Sequence, residues 1–289
     1  MKHASTATGL VNFSAGGWQE ARGGGIGEHF YIENLLEELD YEREWHARDS
    51  TLYYMPAARE SVDPLSGRLG ITTATEEWME QTVTVPVLET VIRVQGSMTK
   101  PVRHLQFKGL TIAHSTTTYM KPYEVPSGGD WAVHRGAAVV IEGAEDILIS
   151  NCSFDQPGGN GILLSDYTRN STISGNEFGF CGDSAIISIG RAQRLVDPEN
   201  HTDGLFPAGN LISHNWIHDI GVFGKQVSCY FQSKSCGNTV EFNICANGPR
   251  DSLNFDDGFA GFNTMRGNLV FNSVRETNDA GPFNQWCAL

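Results

Sequence analysis

Four aspartates set the chemical question: Asp183, Asp256, Asp257 and Asp279. Cleaving a glycosidic bond asks for two carboxyl groups, one to protonate the leaving oxygen and one to act as nucleophile or to activate water. They stand about 5 Å apart in retaining enzymes and roughly 6.5–9.5 Å apart in inverting ones. Asp256 and Asp279 are 23 residues apart, and Asp257 and Asp279 are 22. Such steps become short distances if the chain winds as a solenoid with coils of that length, and two carboxylates so close raise one pKa, as an acid catalyst needs. Asp183 is the third candidate. It follows Asn176 by 7, as Asp251 follows Asn243 by 8 and Asp279 follows Asn268 by 11, which would set these acids along one edge. The competing role for each is a turn, because an Asp side chain bonds nearby backbone N–H groups and tolerates a left-handed conformation. Lys225, Gln226 and Tyr230 in GKQVSCYFQ, with Arg275, are expected to bond sugar hydroxyls, and Trp131, Trp216 and Trp286 to offer flat stacking faces.

The elements that would position these residues come from a repeat. The segments LQFKGLTIAH (105–114), ILISNCSFDQ (147–156), STISGNEFGF (171–180), NLISHNWIHD (210–219), NTVEFNICAN (238–247) and NTMRGNLVFN (263–272) share one pattern. Each is an apolar-alternating strand, a turn residue that is usually Asn, and a second short strand. With Asn151, Asn176, Asn215, Asn243 and Asn268 as markers the steps are 25, 39, 28 and 25, the long one carrying a loop-rich insertion. Short strands at this period without helix predict an all-β, right-handed parallel β-helix. A leucine-rich repeat lacks its Leu ladder here, and a β-sandwich does not repeat a marker Asn at coil length. The marker amides are expected to stack as a ladder. Residues 1–100 break the pattern: FYIENLLEELD (30–40) has a helical face and STLYYMP (50–56) alternates like a strand, which suggests a small mixed N-terminal cap and first coil ahead of repeats over 101–289. A coil strand is expected within VLETVIRV (87–94), and 115–138 reads as a long, functional loop.

The bulk numbers exclude some classes. A net charge of -14 disfavours nucleic acid, anionic membranes and polyuronates. No apolar run reaches the length of a membrane span and the first residues lack a signal-peptide core, while three glycosylation triplets (Asn151, Asn170, Asn200) suit a secreted chain. Six cysteines without paired spacing argue against zinc, His214 and His218 read as surface or turn residues, and no sequence pattern calls for a cofactor. Oligomeric state is not legible.

EHFYIENLLEELD, EVPSGGDWAVHRGAAVVIEG, GKQVSCYFQ, NFDDGF and RETNDAGPFNQW together resemble the pectin-lyase-like β-helix superfamily, and within it secreted proteins related to glycoside hydrolases. The resemblance spans nearly the whole chain. It implies an extracellular carbohydrate-active protein, with a glycan as partner, and further coils beyond Trp286. Where that group reads Asp-His-Gly this chain has Asp279-Ala280-Gly281, so a role for the His is missing. Hydrolysis of a neutral or weakly charged glycan is the leading expectation. The alternatives are a non-catalytic glycan-binding or structural solenoid, and a lyase using Asp256 and Asp257 with Arg275 or Lys225.

Overall fold

The computed structural model describes residues 3–5, 10–12, 33–56, 59–62, 69–72, 83–125, 131–191, 204–256, 261–277 and 280–286. Two compact units divide the chain, residues 21–84 and the remainder. In the smaller unit, antiparallel hairpins join Trp45–Arg48 to Thr51–Tyr54 and Arg59–Val62 to Leu69–Thr72. The helical face expected at 30–40 is, among the described residues, a single 3₁₀ turn, Leu36–Glu38. Its first residue is preceded by Leu35, which offers no side-chain cap, and none of its residues is buried. Nothing therefore rewards a longer helix.

The larger unit is the solenoid, with three parallel sheets as its faces. The first face is built from Ile92–Gln95 with Val102–Arg103, then Val139–Glu145, Ile162–Arg169, Ile186–Ile189, Tyr230–Ser233, Leu253–Asp256 and Phe283–Trp286. The second runs from Gln106–Lys108 to Thr264–Arg266, and the third from Thr111–Ala113 to Leu269–Phe271. Alternation on the strands sends one set of side chains inward, where equivalent residues of successive coils stack. Phe154 lies on Phe178 at 4.4 Å, and Ile149, Ile173, Ile212 and Val240 fill one buried column.

The expected amide ladder forms, with one shift of register. Asn176, Asn215, Asn243 and Asn268 are linked in order, each of the last three accepting from the backbone and side-chain amides of the Asn one coil before. Asn151 is not a rung. The rung position belongs to Cys152, whose N–H donates to Asn176 Oδ1 at 2.9 Å. Asn151 instead holds the preceding left-handed turn position, φ 52°, as Gly175 does one coil later at 68°, a conformation Asn and Gly tolerate. A second ladder, Asn210–Asn238–Asn263, lies at the corner between the first and second faces.

The corner between second and third faces is a two-residue link in every coil, as in Gly109–Leu110 and Gly175–Asn176. The return from third to first face is not constant. It is short after Asp155 and Gly179, but long after Ala113 and His218, where it forms the loops 114–138 and 219–229. These loops gather at the entry to the first face, and the expected loop at 115–138 is one of them.

Candidate active site

Where the long returns meet, a cleft of about 450 Å³ opens. Tyr119, Tyr123 and His134 come from the first long return, Asp183 from the turn before Ile186, and Phe223, Lys225 and Gln226 from the second long return. Arg250, Glu276 and Thr277 complete it from the two following coils. The rings of Tyr119 and Phe223 stack at 5.6 Å and 18°, joining the two long loops.

Asp183 is the buried acid of the cleft, 6% exposed. Its pKa is pushed up to about 6, first by burial; the Thr118 hydroxyl, the charge of His134 and the Gly224 amide act in the opposite direction. Thr118 Oγ1 donates to Asp183 Oδ2 at 3.0 Å. The Tyr123 phenol is pushed up to about 12 by burial and then by the Asp183 charge, and its hydroxyl donates to the Tyr119 carbonyl. Lys225 Nζ donates to Gly221 O at 2.8 Å and pairs with Glu276 at 3.2 Å. Gln226 Oε1 accepts from the Ala132 amide at 3.1 Å, tying the loops together a second time. A carboxyl group that is half protonated near pH 6, beside aromatic faces and amide and ammonium donors, is equipped to donate a proton to a bound hydroxylated ligand.

Of the residues expected from sequence, Asp183, Lys225 and Gln226 line this cleft. Asp257 and Asp279 lie outside the described residues. Asp256 is fully buried on the outer side of the first face, and its partner one coil on is Trp286. The last coil advances 30 residues, Leu253 to Phe283, because the return after Phe271 is long. Asp251 and Asp183 do share an edge, both at the turn into the first face. There Asp251 Oδ1 accepts from the Gly281 amide at 3.2 Å, and the strand register sets Arg250, not Asp251, level with Asp183.

Tyr230 points into the core, 1% exposed, with its hydroxyl donating to Gln232 Oε1 at 2.9 Å and its pKa raised by burial. It does not reach the cleft. Trp131 is likewise buried, one face on Phe231 at 5.1 Å and the Arg250 guanidinium 5.0 Å from its ring, so it anchors the loop over the first face instead of stacking a sugar. Trp216 lies on the third face, stacked on His218 at 4.8 Å. Arg275 is exposed and does not line the cleft. Trp286 belongs to the last strand of the first face. The lyase set is not assembled among the described residues, since Lys225 lines the cleft and Asp256 does not. Thr118, Tyr119, Phe223, Arg250 and Glu276 were not legible as site residues; the only signal for Thr118, Tyr119, Phe223 and Glu276 was membership of loops that lengthen the coil, and Arg250, in a short return, gave none.

The chain belongs to the right-handed β-helix family, whose region model matches residues 110–281. Among solved structures, one titled a glycoside hydrolase aligns with 15% identity and a TM-score of 0.48, over 85% of this chain and 58% of that one. This chain therefore spans little more than half the length of that protein. Comparison with curated proteins finds no match.

Proposed function

We propose that this protein is a carbohydrate-active β-helix protein that hydrolyses O-glycosidic bonds of a neutral or weakly charged glycan outside the cell, with Asp183 as the general acid. The observation that carries this reading is a nearly buried carboxyl, its pKa raised to about 6, set in an aromatic-lined cleft built from the variable loops. Protonated Asp183 gives its proton to the leaving oxygen, and a second carboxylate on the opposite side attacks the sugar carbon or takes a proton from the attacking water. Asp279 is assigned that second role. It stands two residues after Thr277, which lines the cleft, and two before Gly281, whose amide holds Asp251. Tyr119 and Phe223 supply the apolar faces, and Lys225 and Gln226 the donors. Glu276, which neutralises Lys225, keeps the cleft from favouring a strongly anionic chain.

A glycan-hydrolysis screen with plant, algal and microbial polysaccharides tests it, run on the protein and on Asp183→Asn and Asp279→Asn. Loss of cleavage in both, with fold and binding retained, supports the assignment; undiminished cleavage by Asp183→Asn refutes it. The second reading is a glycan-binding module. It is favoured by the low exposure of Asp183 and its two protein hydrogen-bond donors, which suit a turn cap as well as an acid. Binding without cleavage of any glycan selects it.

A further inference from the structure

The two groups that hold the Asp183 carboxyl each sit next to one ring of the aromatic pair. Thr118 precedes Tyr119, and Gly224 follows Phe223. The neighbouring coils are cut away to allow this. A Cβ at Gly159 would stand 2.1 Å from Thr118 Oγ1, and a Cβ at Gly224 would stand 2.1 Å from Asp183 Oδ1. Neither position has a backbone conformation that requires glycine, so the space itself accounts for the two residues. Thr118 is buried, 2% exposed, and its backbone carbonyl accepts from the Lys121 amide, which closes a turn under Tyr119.

We propose that Thr118 is the positioning residue of this site: its hydroxyl holds the Asp183 carboxyl in one orientation, tunes its acidity and locks it to the loop that presents Tyr119. The inference rests on the reading of Asp183 as an acid. The hydroxyl's bond into Oδ2, with the Gly224 amide also donating to the carboxyl, holds the side chain with Oδ1 beside Gly224, which lines the cleft. The same bond favours the ionised form of the carboxyl. It opposes the effect of burial and keeps the group able to release its proton near neutral pH. A glycan that displaces Tyr119 also moves Thr118, so occupancy of the aromatic pair and the acidity of Asp183 are mechanically linked.

The test is a ¹³C-carboxyl NMR titration of Asp183 in the protein, Thr118→Val and Thr118→Ser, together with kcat and KM across pH on whichever glycan the screen yields. Valine keeps the shape and removes the donor. The Asp183 midpoint in Thr118→Val is expected to rise by about one pH unit, a tenfold change in ionisation constant, and to return in Thr118→Ser. The descending, alkaline limb of kcat is expected to move with it, with kcat reduced about tenfold and KM nearly unchanged. Should Thr118→Val not fold, Gly159→Ala pushes the hydroxyl aside while leaving Thr118 and Asp183 themselves unsubstituted and is expected to raise the midpoint in the same direction. An unchanged midpoint in the folded variant overturns the role of Thr118 whether or not the protein cleaves anything. A shifted midpoint with no glycan cleaved by any form sustains the Thr118–Asp183 link and sinks the hydrolase reading instead.

Discussion

Two corners of the same coil behave in opposite ways. Between the second and third faces every link is two residues long, and buried amides repeat from coil to coil, each bonded to the next. Between the third and first faces the returns differ in length, and aromatic, acidic and basic residues collect in a cleft. The first corner sets the register and so cannot vary. The second hangs outside the ladder of strand hydrogen bonds, so it can lengthen without disturbing the stack, which is where loops carrying chemistry are expected. The buried carboxyls show the same division: Asp256 is sealed on a strand, while Asp183 sits at the cleft.

The largest effect that would break this contrast is at the constant corner. Asn215 accepts from Asn176 N and Nδ2 and donates to Ile173 O and Asn243 Oδ1. Asn215→Ala leaves several buried groups unpaired, each worth about 1–3 kcal/mol, so a loss of at least about 3 kcal/mol is expected in urea unfolding. A loss under about 1 kcal/mol would mean the ladder does not hold the coils.

Asp183→Asn is expected to act with the other sign on stability. Because the folded pKa, about 6, lies above the ordinary carboxyl value of 3.8, the wild-type carboxyl favours the fold below pH 4. That contribution is lost as pH rises through about 6, a difference of up to about 3 kcal/mol. The variant should match wild type near pH 4 and exceed it near pH 8, read from urea midpoints at both values, while losing cleavage. Equal midpoints at both pH values would show that Asp183 is not buried as a strained acid.

Gly224→Ala is expected to cost about 1–3 kcal/mol, since its Cβ meets Asp183 Oδ1, and to lower the glycan-hydrolysis rate further than the stability loss explains. The smallest change in stability belongs to Phe223→Ala. Phe223 is 39% exposed, so less than about 1 kcal/mol is expected from thermal denaturation. Glycan affinity measured by calorimetry should nonetheless fall about tenfold, a stacking contact being worth about 0.5–1.5 kcal/mol beyond its area. Undiminished affinity would remove the aromatic pair from the site.

How far the sequence could be read follows from the same contrast. The repeat was legible because the constant corner writes itself as Asn after alternating strands. Asn151 misled by one position because a left-handed turn and a ladder rung both select Asn, and the rung in that coil is filled by the backbone N–H of Cys152. The expected step of 23 residues from Asp256 assumed a constant coil length, whereas the last coil takes 30 residues from Leu253 to Phe283; Asp279 itself lies outside the described residues. Asp183 was legible as one acid along an edge, but its burial was not, because Thr118 lies 65 residues earlier in the chain. Tyr230 and Trp131 read as sugar contacts by residue type, and only the packing of Tyr230 against Phe255 and of Trp131 against Phe231 shows them to be core.

The most direct test of the central claim is to incubate the protein and Asp183→Asn with the polysaccharide panel and measure both released reducing ends and bound glycan. The account predicts one glycan cleaved by the protein, with cleavage falling as pH rises through about 6, and the same glycan bound but not cleaved by Asp183→Asn. Cleavage that persists in Asp183→Asn with an unaltered pH profile would contradict it.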